Sequence, residues 1–309
     1  YALVLSILLA QAIATGFQID IRGIRDRNLL RELRWYSGTM ILGSSASIII
    51  SQIDIIMVGR LMSLEWVPLF AIASFIAAVV QIPKRAVGRL WNPLIASAID
   101  KEDFIEAFRI VKLNHRTVLL ASGWILACIC ACMPEINAML HDDFRGLSAV
   151  IFTVGCLRII QGSAGGSLML LGQSKHYSWL IALNWGMVFI AIPLNLLFIP
   201  ESGLGLGLLG AALATLVSTG TSILLRQWVV WHLWKRFTPD LHSIAIILCL
   251  SAPTGLLTLW TPDTHPVLSL LLKSAAITVW TAGAAHWLKL APEATAFALK
   301  FVSKSGGNH

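Results

Sequence analysis

Long apolar runs alternate with short polar blocks along the whole chain. The runs fall at roughly 1–19, 36–59, 66–83, 117–139, 146–172, 177–199, 208–230, 243–260 and 266–288. A helix needs about 20 apolar residues to cross a hydrocarbon core of about 30 Å, and these runs are of that length. Strands of an outer-membrane barrel would alternate over about 10 residues, which is not the period here. The pattern predicts an all-α, polytopic membrane helix bundle of about nine transmembrane helices.

The polar blocks give the bundle a direction. Arg22, Arg25, Arg27, Arg31 and Arg34 fill the first block, and seven bases lie between Lys84 and Arg116. Lys175, then Arg226, Lys235 and Arg236, then Lys289, Lys300 and Lys304 follow in every second gap. These regions hold 19 of the 23 Lys and Arg, whereas the intervening loops hold Arg60 and Arg145. Basic residues gather on the cytoplasmic side of membrane proteins, so the C-terminus is expected in the cytoplasm and residue 1 outside. Seven tryptophans (Trp35, Trp91, Trp179, Trp228, Trp231, Trp234, Trp287) fall near the expected cytoplasmic ends, and Trp66 and Trp260 near outer ends. This is the headgroup level such rings prefer. Trp124, Trp185 and Trp280 lie deeper and are expected to pack. The chain opens at Tyr1 inside an apolar run, without a basic flank or a cleavage site. Further helices are therefore expected upstream.

Composition narrows the class. Hydrophobic residues make up 57% and charged residues 13%, about half the charged share of a soluble domain. A soluble enzyme, a disordered chain and a disulfide scaffold are excluded. The net charge of +7 would suggest nucleic acid in a soluble domain, but bases spaced between membrane runs face anionic lipid instead. The five cysteines lie inside apolar runs, which argues against a disulfide framework. There is no P-loop, GxSxG or HExxH motif. His141, Asp142 and Asp143 share a short outer loop, where such clusters are usually solvated. No cofactor is expected. Residues 84–116 alternate Ile99, Phe104, Ile105, Phe108 and Val111 with charges, which suits either an amphipathic interfacial helix or a linker helix.

Polar groups at membrane depth are costly unless paired or facing water, so each is a functional candidate. In the second run Thr39, Gly43, Ser44, Ser47, Ser51 and Asp54 share one helical face. They read as a cavity wall, with Asp54 as a proton or cation site. Alternatively the serines are packing contacts and Asp54 pairs with a neighbour. In the fifth run Arg158 shares a face with Gly155, Gln161, Gly162 and Gly165. Its planar fork suits phosphate, with the glycines leaving room for a ligand or a close helix; the alternative is a structural ion pair. In the sixth run Asn184 and Asn195 lie on one side of a helix that Pro193 should loosen. They suit sugar hydroxyls or helix bridging. Lys273, near the outer end of the last run, is expected to snorkel outward.

Two stretches resemble a known superfamily. Residues 51–94 hold Gln52-x-Asp54, a helix-ending Gly59 and Asn92-Pro93; residues 194–217 hold Asn195-Leu-Leu-x-Ile-Pro200 leading to Gly210-Ala-Ala-x-Ala-Thr215. These resemble the multidrug/oligosaccharidyl-lipid/polysaccharide exporter superfamily, and within it the polysaccharide-transport flippases. The chain departs from the pattern in its extended Glu201–Gly210 segment and at Val67–Phe70. The resemblance implies twelve to fourteen helices in two lobes that move undecaprenyl-diphosphate-linked oligosaccharide across the bacterial inner membrane by alternating access. Residues 1–19 then look like the last helix of an N-terminal lobe whose remainder is missing. Residues 20–35 look like a basic cytoplasmic linker, 36–288 like a C-terminal lobe of eight helices, and 289–309 like a cytoplasmic tail. Arg158 becomes a candidate diphosphate contact. Gln161, Asn184, Asn195, Ser47 and Ser51 become candidate substrate contacts, and Asp54 a candidate for coupling to a proton or sodium gradient. The partners implied are the lipid-linked oligosaccharide, membrane lipid and the missing lobe. The alternatives are a cation-coupled multidrug exporter or a lipid II flippase of the same superfamily, or a membrane-embedded glycan polymerase or ligase.

Overall fold

Apolar sequence of this length has one solution in lipid: helices that satisfy their own backbone hydrogen bonds. The computed structural model describes residues 27–139, 147–236, 241–260 and 266–287. Eleven α-helices follow in order: α1 (Arg27–Leu61), α2 (Trp66–Ala78), α3 (Ile82–Asp100), α4 (Phe104–Ala131), α5 (Met133–Met139), α6 (Ser148–Ser163), α7 (Gly165–Gln173), α8 (Tyr177–Phe198), α9 (Gly207–Trp234), α10 (Leu241–Leu259) and α11 (Pro266–Trp287). The chain to Ser45 belongs to one compact unit, and from Ala46 onward to a second. The site and the packing below lie in the second unit.

Every expected span that falls among the described residues coincides with a helix or a consecutive pair. By length and composition six of them can cross a membrane, or seven if the bent α6–α7 pair is one span. The apolar part of α10 is shorter. The expected span 1–19, the loop with His141, Asp142 and Asp143, and the tail 289–309 lie outside the described residues. Phe75, Phe189, Leu224, Leu256 and Val279 are more than two-thirds exposed, as side chains facing acyl chains should be.

Helix α4 is the hub and packs against α3, α6, α7, α10 and α11. Close approach is made possible by small residues. A Cβ on Gly155 would sit 2.4 Å from Leu126 Cδ1, and one on Gly166 2.8 Å from Val111 Cγ1. Helix α9 buries Gly210, Ala211, Ala212, Ala214, Thr215, Ser218, Thr219 and Ser222, the composition of a tight membrane helix interface. Between α6 and α7 the axis bends by 40°. Ser163, the last residue of α6, lies at this bend. His115 lies 2.9 Å from the Ser163 carbonyl oxygen through Nδ1 and 3.0 Å from Ser243 Oγ through Nε2, which ties α4, the bend and α10 together.

Two expectations are corrected by the packing. Residues 84–116 form neither one interfacial helix nor one linker helix, but most of α3 and the start of α4. A 3-10 turn (Val79–Gln81) joins α2 to α3, and a left-handed Glu102 then reverses the chain into α4. Asp103 caps α4 by accepting from the Glu106 N–H, so the Asp-x-x-Glu spacing sets the break. Ile99, Phe108 and Val111 consequently bury against Leu170, Leu171, Val229 and Val230 instead of facing lipid.

Lys273 does not snorkel. It is 0% exposed and its Nζ lies 2.6 Å from Glu135 Oε1. Ser269 Oγ donates to the same carboxylate at 2.6 Å and Lys273 also donates to the Ala131 carbonyl at 3.3 Å. A buried acid was within reach, and pairing costs less than stretching a charge through lipid.

The last residues of the Glu201–Gly210 segment are the first turn of α9. The remainder folds back on α8: Leu204 and Leu206 N–H groups donate to the Leu197 and Phe198 carbonyls at 2.8 and 3.0 Å. Gly205 and Gly207 take positive φ of 63° and 54°, which glycine adopts without strain.

Candidate functional site

Polar stripes on separate helices converge on one cavity of 440 Å³. Helix α1 contributes Ser47, Ser51 and Asp54; α2 and the turn after it contribute Ser74 and Gln81; α3 contributes Lys84. Arg158 and Gln161 come from α6, Asn184 from α8, and Thr215, Thr219, Ser222 and Arg226 from α9. Phe70, Val154, Leu157, Met187 and Ala212 fill the gaps between them with apolar surface. The candidates Ser47, Ser51, Asp54, Arg158, Gln161 and Asn184 are thus brought together. Asn195 is set apart: it is 0% exposed and does not line the cavity. Its amide donates to Asp54 Oδ1 at 3.4 Å and to the Ala191 carbonyl at 3.0 Å, so it braces the carboxylate from behind.

Charge is arranged along the cavity. At one end Thr215 Oγ1 donates to Asp54 Oδ1 at 2.5 Å. Near the middle Gln161 Oε1 accepts from Arg158 Nη1 at 3.3 Å and from Gln81 Nε2 at 3.2 Å. At the other end stand Lys84 and Arg226. Eleven residues of helix separate Thr215 from Arg226, about 16 Å at 1.5 Å per residue. Three cations against one carboxylate leave a net charge of +2 on the wall. Arg158 interacts with the charge of Asp54, and Lys84 with those of Arg158 and Arg226. Among the described residues no carboxylate forms an ion pair with any of the three cations, and Nε of both Arg158 and Arg226 is buried without a hydrogen-bond partner. Such atoms are costly to leave unpaired.

Two of the glycines beside Arg158 lie against Lys84. A Cβ on Gly165 would lie 3.7 Å from Lys84 Cε, and one on Gly162 3.8 Å from Lys84 Cβ. The stem of Lys84 therefore runs past these two glycines at ordinary van der Waals distance, beside the α6–α7 bend. Lys84 and Arg226 were expected in cytoplasmic segments; both instead line the cavity. The signal for Arg226 is the spacing Thr215, Thr219, Ser222, Arg226, one polar stripe on α9. For Lys84 it is Ser74, Gln81, Lys84 on the next wall.

No protein-family model and no curated protein matches the chain. Solved structures do. A MOP superfamily transporter from Pyrococcus furiosus, described as having a binding pocket of reversed polarity that suggests a different function, aligns with a TM-score of 0.51. The identity is 20%, over 86% of this chain and 67% of that one. An outward-facing multidrug resistance MATE family transporter of the MOP superfamily aligns with a TM-score of 0.48 at 21% identity, over 86% of this chain and 68% of that one. At such identity the likeness to the first of these is one of architecture alone: over most of its length the chain shares that transporter's membrane-helical fold.

Proposed function

We propose that the chain is the C-terminal lobe of a polysaccharide-transport flippase, which moves undecaprenyl-diphosphate-linked oligosaccharide from the inner to the outer leaflet of a bacterial inner membrane. The observation that carries this reading is the wall of Lys84, Arg158 and Arg226 set against Asp54 alone. A diphosphate carries opposite charge and enough acceptor oxygens to satisfy two guanidinium groups at once. The hydroxyl and amide groups of Ser47, Ser51, Asn184 and Gln161 suit a sugar. With the basic end of the bundle in the cytoplasm, Lys84 and Arg226 meet the diphosphate first, and Arg158 takes it toward the middle of the membrane. The missing N-terminal lobe supplies the opposite wall for alternating access.

The second reading is a cation-coupled multidrug exporter, favoured by Asp54, a carboxylate within a span. Its Oδ1 is already engaged by Thr215 and Asn195, and the surrounding charge opposes a cationic drug. Titrating the purified protein with undecaprenyl diphosphate or with ethidium, read by its tryptophan fluorescence, separates the two. Saturable binding of the diphosphate that weakens at least tenfold in Arg158→Ala and in Arg226→Ala is expected. Binding of ethidium alone, lost in Asp54→Asn, would overturn the flippase reading.

A further inference from the structure

A second basic cavity lies away from the first, at the opposite end of α9 from Gly207. It measures 380 Å³ and is lined by Ile105, Phe108, Arg109, Lys112 and Arg236. We infer that it is a binding site for the headgroup of an anionic phospholipid.

Depth is the first argument. Helices α4 and α9 each have 28 residues, about 42 Å of helix against a core of about 30 Å. Roughly eight residues of each must project. On α4 the projecting residues come from its polar first half, Phe104 to Arg116, since the predominantly apolar run begins only at Val118. On α9 they are those around Trp228, Trp231 and Trp234. The cavity therefore opens at the headgroup level. Trp228 and Trp231 are exposed there, Lys235 Nζ stands 4.8 Å from the Trp231 ring centroid, and Phe104 and Phe108 pack on Trp234 at 5.8 and 6.2 Å between centroids. These ring contacts hold the start of α4 against the end of α9 and so keep the cavity open in one shape.

Charge is the second. Arg109 is held by Glu106 in a two-pronged pair, Nε to Oε2 and Nη2 to Oε1, both 2.7 Å. Lys112 and Arg236 have no ion-pair partner among the described residues. With Glu106 counted, the rim carries a net charge of +2. The occupant is thus an anion.

The third argument separates a lipid from a free phosphate. Ile105 is 67% exposed at the rim, on the face where a glycerol backbone and the first acyl methylenes would lie. A free phosphate gains nothing from it. This site does not depend on the cargo of the larger cavity.

The test uses the full chain purified in detergent. Native mass spectrometry follows retention of phosphatidylglycerol, phosphatidylcholine and inorganic phosphate by wild type and by Lys112→Ala/Arg236→Ala. Phosphatidylglycerol is expected to be retained saturably over phosphatidylcholine. The double variant should bind it on the order of 30-fold more weakly, from about a fivefold contribution per interfacial cation. Ile105→Ser leaves the charges in place and should also weaken it, which keeps the test independent of any folding defect in the double variant. Equal retention by wild type and both variants overturns the site. Displacement of phosphatidylglycerol by inorganic phosphate at equal affinity makes it a free-anion site and overturns the lipid assignment.

Discussion

The buried pair of Glu135 and Lys273 offers the sharpest test of how this bundle is held. It joins α5 to α11, with Lys273 0% and the Glu135 side chain 8% exposed and the charged atoms 2.6 Å apart. Removing one partner leaves the other charge buried and unpaired. The cost of breaking such a pair is about 3–5 kcal/mol, and at 1.4 kcal/mol per decade that is on the order of a hundredfold or more in the unfolding equilibrium. The double replacement Glu135→Leu/Lys273→Met removes both charges and keeps the volume. It is expected to be near neutral, since a hydrophobic pair often matches or exceeds a buried ion pair. Ser269 Oγ, which donates to Glu135 at 2.6 Å, then loses its acceptor, and the Ala131 carbonyl loses its longer 3.3 Å bond from Lys273; an unsatisfied buried group costs about 1–3 kcal/mol. The assay is reversible unfolding in mixed micelles, read by tryptophan fluorescence and analysed as a double-mutant cycle. Single variants that each lose less than about 1 kcal/mol would show that water or lipid solvates these charges. A double variant as unstable as the two singles combined would show that the groups act independently and that the ion pair is not what joins these helices.

Other consequences follow from particular contacts. In the complete transporter Arg158→Ala should abolish transport and Arg158→Lys retain part of it; equal, near-normal transport of both variants would remove Arg158 from the site. Residues 1–309 alone should not restore transport to a flippase-deficient strain, and restored transport would refute the need for a second lobe. Gly203→Ala should destabilise more than Gly220→Ala in the same unfolding assay. A Cβ on Gly203 falls 2.1 Å from the Leu197 carbonyl oxygen, whereas nothing lies within 4 Å at Gly220. Asp54→Asn should keep the Thr215 and Asn195 contacts and leave the fold intact. It should remove gradient dependence from transport only if Asp54 is the coupling group, which a comparison of transport with and without an imposed proton or sodium gradient decides.

Much of the bundle was legible because lipid imposes a single-residue rule: a residue at depth is apolar or has a reason. Run lengths located the apolar helices among the described residues, though not the breaks within them, and the same rule flagged Asp54, Arg158 and Asn184 in a chain that is 57% hydrophobic. Helical periodicity also placed Ser47, Ser51 and Asp54 on one face, and all three line the cavity. Partner identity was not legible. Glu135 and Lys273 lie 138 residues apart, so whether a lysine near a helix end stretches outward or finds a carboxylate depends on which helices touch. The same holds for the cavity. Arg226 and Lys84 sit where their runs turn polar and look like ordinary loop-side bases. Only the crossing of α3, α6 and α9 brings them to one cavity. Sequence determined which stretches are long and apolar enough to cross a membrane and which side chains are costly against lipid, because those are properties of one helix in one solvent. Tertiary structure decided which of those side chains meet, because that depends on helix crossings set by small residues far apart in the chain.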